Sequence, residues 1–396
     1  MKAANGQRPA AGGEDRGILS EHIIIRGIMR TVLICTVGTS LKGNLANAQD
    51  KTFAEMLRQG NVKGIALELS AIEADDRLTG AEINSITSII KKGLLSSCEY
   101  LYLLLSDTDD GDLIGNILKA YYERHQNPCS FEHVQSIVIK GLSDQSPHRF
   151  KTEGLRNLVK TIAEIVKKHG AESVLINATG GYKAQISFAG MIGQALEIPV
   201  CYLFEKFSEV IELPPQPISL DLSFWLENAS LFFDLAGDGV EKSPTEKDAR
   251  FASLVDEIEE DGAKLIGLSA TGQLFHEMFQ YRFQKQREML LPPDSGLDPE
   301  KKDIDYEDKN GGRHSGLDAY LKKLCKVSYV KRIYTHYFNP RLPIRNYFRP
   351  STKGGLSQVE GGYSDGKATT KFDIVTTAAK MDQRDAAIAD LSSLFN

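Results

Sequence analysis

The fold is decided by one stretch, Ser173-Val-Leu-Ile-Asn177, which is followed at once by Ala178-Thr-Gly-Gly-Tyr-Lys183. Its first five residues form a short, mostly apolar run of the kind that is typical of a buried parallel strand. The two glycines then allow a tight turn, and a helical pattern follows. The same order occurs at Thr31–Thr36, which precedes Gly38-Thr-Ser40. Two such units predict an α/β domain with a mainly parallel sheet.

Further strands and helices are expected around these two units. Apolar runs predict strands at residues 64–69, 100–105, 134–139 and 198–204, and helical spacing predicts helices at 79–92, 113–124, 152–169 and 182–196. Thr79-Gly-Ala-Glu82 has the pattern of a capping box at the start of the first helix. The α/β domain is expected to cover residues 29–222. Residues 1–28 are expected to be a poorly ordered tail, with either Met1 or Met29 as the true start.

The rest of the chain is predicted to form two more segments. Residues 223–292 are interpreted as a helical connector, with Phe251, Leu254 and Ile258 on one stripe of a charged helix over residues 242–261. The polar stretch 292–313 is expected to be a loop. Residues 293–396 combine helices at 317–326 and 382–395 with several short strands, which predicts a small α+β domain.

Charge is distributed unevenly along the chain, which has a net charge of −6. Residues 317–396 contain 13 Lys and Arg against 7 Asp and Glu, so an acidic first part precedes a basic tail, and two functions are expected. The five cysteines form no CxxC or Cys/His cluster, so no metal site is expected. No apolar stretch approaches the ~18–20 residues that span a bilayer, and no signal peptide is recognisable. The protein is therefore expected to be cytoplasmic, without membrane contact.

The two glycine turns predict an anion-binding site. Ligands of open parallel sheets bind at the carboxyl ends of the strands, where glycine N–H groups and helix N-termini favour a phosphate. Thr39, Ser40 and Thr179 would add hydroxyl donors, and Lys183 would add a cation. The GxxxxGK[ST] and GxGxxG spacings are both missing, so a P-loop or a nicotinamide site is not supported. The alternative is a pair of tight turns that bind nothing. The nearby segment 106–110 is interpreted as helix capping and pocket lining.

Six segments resemble, in this order, the CRISPR-associated Rossmann fold (CARF) domains of type III CRISPR accessory proteins: LICTVGTS, AEINS, LLLSDTDDG, GLRNLV, INATGGYKAQISFAG and LPPQPISLD. The resemblance implies a homodimer that binds a cyclic oligoadenylate, most often cyclic tetra-adenylate, across its two-fold axis. It implies that the ligand-binding residues are Gly38, Thr39, Ser40, Asn177, Thr179, Gly180, Gly181 and Lys183. Some members of the family slowly cleave their own activator, and Ser40 and Lys183 are then the groups that would stabilise charge on the phosphate.

A basic and aromatic window occupies the C-terminal region. No acidic residue lies between Asp318 and Glu360, whereas nine Lys or Arg residues alternate there with Tyr and Phe. Cations neutralise phosphates and aromatic rings stack on bases, so the window is typical of an RNA-binding surface. The alternative is a solvated basic face whose aromatic residues belong to the core.

Common effector signatures fit this region poorly. The Arg-x4–6-His spacing of HEPN ribonucleases occurs only at Arg16 and His22, and the ExK triplets near the C-terminal region lie in the predicted loop. The small basic α+β domain instead resembles RelE-type ribosome-dependent mRNA endonucleases, which implies attack of a ribose 2′-OH on the adjacent phosphate. The candidate catalytic residues are Arg332, Arg345 and Arg349 for charge stabilisation, and Tyr334, His336 and Lys380 for proton transfer or positioning.

The sequence thus predicts a ribosome-dependent endoribonuclease that needs no metal or cofactor, acts in type III CRISPR antiviral defence, and is activated by a cyclic oligoadenylate. Its partners would be a second copy of the chain, cyclic tetra-adenylate, mRNA and the ribosome. Two alternatives stay open. One is a CARF-fused metal-dependent nuclease, and the other is a non-enzymatic, ligand-gated regulator that binds nucleic acid.

Overall fold

The computed structural model describes residues 30–124, 126–204, 207–216, 222–237, 241–242, 249–260, 263–307 and 314–395. The expected N-terminal tail lies outside the described residues. Among the described helices, none is both long and apolar enough to cross a membrane.

A six-stranded sheet forms the first part of the molecule, with the strand order β3-β2-β1-β4-β5-β6. Its strands are β1 (Val32–Thr36), β2 (Tyr100–Leu105), β3 (His133–Val138), β4 (Val174–Asn177), β5 (Val200–Tyr202) and β6 (Ile211–Leu213). Strands β1 to β5 run parallel and β6 runs antiparallel to β5. The side chains of the central strand β1 are buried on both faces, as expected for a parallel sheet that helices cover on both sides.

Helices cover the two faces of this sheet. One face carries α1 (Ser40–Ala46), α2 (Lys51–Gln59), α3 (Val62–Leu69), α4 (Gly80–Lys91) and α5 (Asp109–Tyr122). The other face carries α7 (Leu155–His169) and α8 (Lys183–Ala195), and a short helix α6 (Pro147–Arg149) and a π-helical turn precede α7. The chain continues from β1 to β2 and β3 on one side, and then returns to β4 on the other side of β1. The gap between β1 and β4 is therefore the topological switch point of the sheet.

Two local predictions for this part are wrong. Residues 64–69 were expected to form a strand but belong to α3, where Ile65, Ala66 and Leu69 are buried on one side of the helix. A short apolar run fits either element by periodicity alone. The capping box at α4 is also absent, because the Glu82 carboxyl accepts a hydrogen bond from the Gly38 N–H, 2.7 Å away, and the Thr79 side chain makes no cap.

The middle of the chain is only partly helical. Helices α9 (Ser223–Glu227), α10 (Ala229–Ala236) and α11 (Ala270–Leu290) accompany a three-stranded antiparallel sheet of β7 (Glu241–Lys242), β8 (Val255–Glu260) and β9 (Ala263–Leu268). The charged helix expected over residues 242–261 is wrong, since Lys242 lies in β7 and residues 249–260 form a 3-10 turn and then β8. A cluster around Trp225, Phe232 and Phe283 packs the three helices together.

The C-terminal part is a mixed five-stranded sheet with two helices. Its elements are β10 (Asp303–Tyr306), α12 (Leu317–Cys325), β11 (Val330–Asn339), β12 (Tyr347–Pro350), β13 (Gln358–Ser364), β14 (Thr369–Thr376) and α13 (Met381–Phe395). The strand order is β10-β11-β14-β13-β12, and only the β10–β11 pair is parallel. The loop expected over residues 292–313 thus contains a strand. Helices α12 and α13 share a core with Ile333, Phe372 and Ile374 on one face of the sheet.

Candidate functional site

The two glycine turns meet at the switch point of the first sheet. A Cβ atom on Gly38 would lie 2.7 Å from the backbone nitrogen of Gly181, so the turns touch through their backbones. Gly181 also has a φ of +105°, which favours glycine. We call the predicted ligand residues around this contact the front site: Gly38, Thr39, Ser40, Asn177, Thr179, Gly180, Gly181 and Lys183.

Part of the front site is a buried scaffold. The Thr36 hydroxyl donates to the Gly180 carbonyl at 2.6 Å, and the Asn177 side-chain amide donates to the Ser85 hydroxyl at 2.8 Å. The Thr179 hydroxyl donates to Asn177 Oδ1 at 2.7 Å and accepts from the Leu203 N–H at 3.0 Å. The polar groups of Asn177 and Thr179, which were predicted to contact a ligand, are thus engaged in holding strand ends together.

The exposed part of the front site faces solvent at two helix starts. Thr39 and Ser40 are exposed at the start of α1, and Lys183 is exposed at the first residue of α8. Backbone N–H groups of first helical turns and a nearby lysine are the groups that bind a phosphate. A second lysine, Lys42, forms an ion pair with Asp110 at the start of α5.

The segment after β2 caps helix α5, as predicted. The Thr108 hydroxyl caps α5 by accepting from the Gly111 N–H at 3.0 Å. The Asp107 carboxylate accepts from the Gly141 N–H at 2.9 Å, which ties this turn to the loop after β3. Helix capping by segment 106–110 is therefore confirmed.

A row of polar residues crosses the C-terminal sheet. Asp305, Tyr334, Asp373, Glu360 and Arg349 are direct neighbours in successive strands from β10 to β12. Neighbours in register point to the same face, and the adjacent row, which contains Ile333 and Ile374, belongs to the core. The polar row therefore lies on the face opposite α12 and α13, and we call it the rear site together with the adjacent Arg332, His336 and Tyr347.

Acidic side chains pair with some of the basic residues of the predicted window. Arg332 pairs with Asp305 and Arg349 pairs with Glu360. His336 Nε2 lies 3.5 Å from Asp373 Oδ2. Each acidic residue is more than ten residues from its partner along the chain. The window between Asp318 and Glu360 therefore contains no acidic residue in its sequence, although acidic side chains from outside it lie next to its basic residues in the structure.

Two tyrosines of the rear site have perturbed acidity. The Tyr347 hydroxyl donates to Glu360 Oε1 at 2.7 Å, and burial together with this bond raises the pKa of Tyr347. The pKa of Tyr334 is raised as well, mainly by burial and then by the charge of Asp373. Both hydroxyls therefore remain protonated at neutral pH. The sequence analysis did not select Tyr347, Glu360 or Asp373 as candidate site residues. Cross-strand register brings them together, and a local sequence pattern does not show that register.

The other two predicted catalytic residues lie apart from this row. Arg345 is exposed next to the end of α10, where a Cβ on Gly237 would lie 2.8 Å from its Nη1 atom. Lys380 is exposed just before α13. Within the described ranges, no three His, Cys, Asp or Glu side chains are grouped so that they could hold a metal ion.

Residues 77–216 match the CRISPR-associated protein family Cas_APE2256. The Cas_APE2256 match begins just before α4 and includes the turn at residues 177–183, whereas Gly38, Thr39 and Ser40 precede it. This region of the chain is thus similar to a CRISPR-associated family, in line with the sequence prediction. No curated protein matches the chain.

Two solved structures show weak similarity. Can2 from Sulfobacillus thermosulfidooxidans, in complex with cyclic tetra-adenylate, has 12% identity over 68% of this chain and 69% of its own, with a TM-score of 0.22. Protein VC1899 from Vibrio cholerae has 8% identity over 87% of this chain and 77% of its own, with a TM-score of 0.24. Both similarities are too weak to carry a conclusion about function, and neither tests the RelE resemblance.

Proposed function

We propose that the chain senses a cyclic oligoadenylate at the front site, with cyclic tetra-adenylate as the preferred ring. The contact of two glycine turns at the switch point, with Ser40 and Lys183 exposed beside it, is the observation that carries this proposal. These groups suit a phosphodiester, since they combine backbone N–H donors, a hydroxyl and a cation. The match of residues 77–216 to a CRISPR-associated family supports the same class of signal.

The ligand-binding unit in this proposal is a homodimer. A ring with repeated phosphates is matched by two identical front sites related by a two-fold axis, since each chain then offers the same groups to half of the ring. The expected stoichiometry is one ring for two chains.

The output in this proposal is ribosome-dependent cleavage of mRNA without a metal ion. The rear site offers the groups that such a reaction needs. His336, held near Asp373, accepts the proton of the attacking 2′-OH. Tyr334 or Tyr347 gives a proton to the leaving oxygen, and Arg332 or Arg349 stabilises charge on the phosphate. The arginines would have to exchange their carboxylate partners for the RNA phosphate.

One experiment tests the output. The purified protein is incubated with cyclic tetra-adenylate, with and without translating ribosomes, and any cut in the mRNA is mapped. The proposal predicts cleavage only when ligand and ribosomes are both present, and the same cleavage in EDTA at a concentration that leaves ribosomes intact. Cleavage of free RNA or DNA, or binding to nucleic acid without cleavage, contradicts it.

A metal-dependent nuclease is the second candidate. Glu360 and Asp373 are cross-strand neighbours, both are buried, and Asp373 Oδ1 has no hydrogen-bond partner among the described residues. Two adjacent carboxylates with an unused oxygen are a common start for a divalent cation site. This candidate predicts ligand-dependent cleavage of naked nucleic acid that EDTA abolishes and Mg²⁺ or Mn²⁺ restores.

A further inference from the structure

Helix α4 carries a row of buried polar side chains beneath the front site. Glu82, Ser85 and Ser88 are spaced three residues apart, so they share one side of the helix. Glu82 and Ser85 are completely buried and Ser88 is nearly so. Burying polar groups costs free energy unless each one finds a partner, so such a row requires a structural or functional reason.

Each member of this row holds a different segment of the sheet. The Glu82 carboxylate accepts from the Gly38 N–H at 2.7 Å, after β1. The Ser85 hydroxyl accepts from the Asn177 amide at 2.8 Å, at the end of β4. The Ser88 hydroxyl accepts from the Val210 N–H at 2.9 Å, just before β6. A single helix thus fixes both strand ends that carry the ligand turns.

Glu82 differs from the two serines because only one of its two carboxyl oxygens has a hydrogen-bond partner among the described residues. Its Oε1 atom also lies close to the glycine turn after β4, where a Cβ on Gly180 would be 2.0 Å from it. Its Oε2 atom is buried and has no hydrogen-bond partner among the described residues. The titratable groups that face it are Cys35 on β1 and Tyr122 on α5, and neither is a cation at neutral pH. Burial raises the pKa of Glu82.

We infer that Glu82 is the positioning residue of the front site: its carboxyl sets the spacing of the two glycine turns, and it takes up a proton when an anionic ligand binds. A phosphate on the N–H groups of the turns brings negative charge close to a buried carboxyl, which favours its neutral form. The proton comes from solvent, and the neutral carboxyl still accepts from Gly38 N–H through its carbonyl oxygen. The proton uptake rests on the proposed function, whereas the positioning role does not.

The test combines substitution with the pH dependence of binding, using cyclic tetra-adenylate as the probe. In the unsubstituted protein, the affinity is expected to fall as the pH rises above the ordinary carboxyl pKa of about 4.3, because ligand binding then requires a proton that Glu82 holds less readily. Glu82→Gln imitates the neutral carboxyl, so its affinity should stay high and nearly independent of pH. Glu82→Ala should bind at least about tenfold more weakly at every pH, since it loses a buried hydrogen bond. Ser88→Ala is the matched control and should bind as the unsubstituted protein does.

A measurement without ligand separates the two roles. Hydrogen exchange of the Gly38 N–H should be at least about tenfold faster in Glu82→Ala and remain slow in Glu82→Gln, because only the latter keeps an acceptor. Unchanged exchange in Glu82→Ala, or a flat pH profile of a protein that binds the probe, overturns the inference. Slow Gly38 exchange that depends on Glu82, in a protein that binds no cyclic oligoadenylate, overturns the proposed function and the proton uptake but supports the positioning role.

Discussion

Thr39, Ser40 and Lys183 are the exposed side chains of the front site, whereas Asn177 and Thr179 are engaged in its scaffold. This division separates two kinds of substitution. A change at an exposed residue should alter ligand affinity and leave the fold intact. A change at a scaffold residue should alter both.

Lys183→Gln is expected to weaken cyclic tetra-adenylate binding by about 10- to 100-fold, the value of one hydrogen bond to a charged group. The melting temperature should stay the same, because the Lys183 side chain is exposed. Isothermal titration calorimetry and thermal unfolding measure the two effects. The matched control is Lys63→Gln, which removes an exposed lysine on α3 and should bind as the unsubstituted protein does. Equal affinity of Lys183→Gln and the control would remove Lys183 from the site.

The residues that sequence reasoning found and those it missed differ in how far away their partners lie. The turns that contain Gly38 and Gly181 can be predicted from a local strand-turn-helix pattern. Glu82, Glu360 and Asp373 act through residues that are distant in sequence, and local patterns do not report such contacts. Glu82 even fitted a local motif, the capping box, but its carboxyl bonds to Gly38 instead.

At the scale of elements, the parallel sheet and helices α4, α5, α7 and α8 follow from apolar periodicity. The wrong predictions concern short segments whose secondary structure depends on tertiary contacts. Residues 64–69 form a helix, and their apolar side chains are buried on one side of it. The charged segment that contains β8 forms a strand because it pairs with β9. Strand β10 lies in a polar stretch without a strong strand pattern and is defined by its parallel pairing with β11.

The helices α9, α10 and α11 enclose a buried histidine that should make their packing sensitive to acid. Burial, with smaller effects of Lys167 and Lys160, lowers the pKa of His276 to about 3. Its Nδ1 atom accepts from Trp225 Nε1 at 3.2 Å. Unfolded His276 binds a proton below about pH 6.5, so protons favour the unfolded state in the window from about 6.5 down to about 3. The stabilisation is complete above this window and decreases as the pH falls.

We therefore expect the free energy of unfolding to fall by up to about 1.4 kcal/mol per pH unit below pH 6.5 through His276. His276→Asn keeps an acceptor for Trp225 but does not titrate, so its pH dependence should be shallower by up to that amount. Urea unfolding followed by the fluorescence of Trp225, the single tryptophan of the chain, measures both proteins between about pH 5 and 7.5. Parallel pH profiles would show that His276 does not contribute.

At the scale of the whole molecule, α11 contacts both the helices that cover the first sheet and the C-terminal part. Glu277 pairs with Lys167 of α7 at 3.0 Å, and Lys285 pairs with Glu197 just after α8. Near the C-terminal end of α11, the Arg287 guanidinium donates to the buried Asp390 carboxylate of α13. The Tyr329 hydroxyl donates to the same carboxylate at 2.8 Å. Helix α11 thus joins the helices of the first part to the C-terminal part.

Asp390→Ala should weaken this link. It leaves the buried Tyr329 hydroxyl and the partly exposed Arg287 without their acceptor, and is expected to cost about 2–3 kcal/mol of unfolding free energy. Asp382→Ala, at an exposed position at the start of α13, is the control and should cost at most about 1 kcal/mol. Urea unfolding measures both variants. Similar stabilities of the two would contradict the structural role of Asp390.

The most direct test of the central claim is the stoichiometry of cyclic tetra-adenylate binding by isothermal titration calorimetry, with the mass of the complex measured in parallel. The account predicts saturation at one ring for two chains, a dimeric complex, and loss of affinity in Lys183→Gln. Absence of binding, one ring per single chain, or binding that Lys183→Gln leaves unchanged would contradict it.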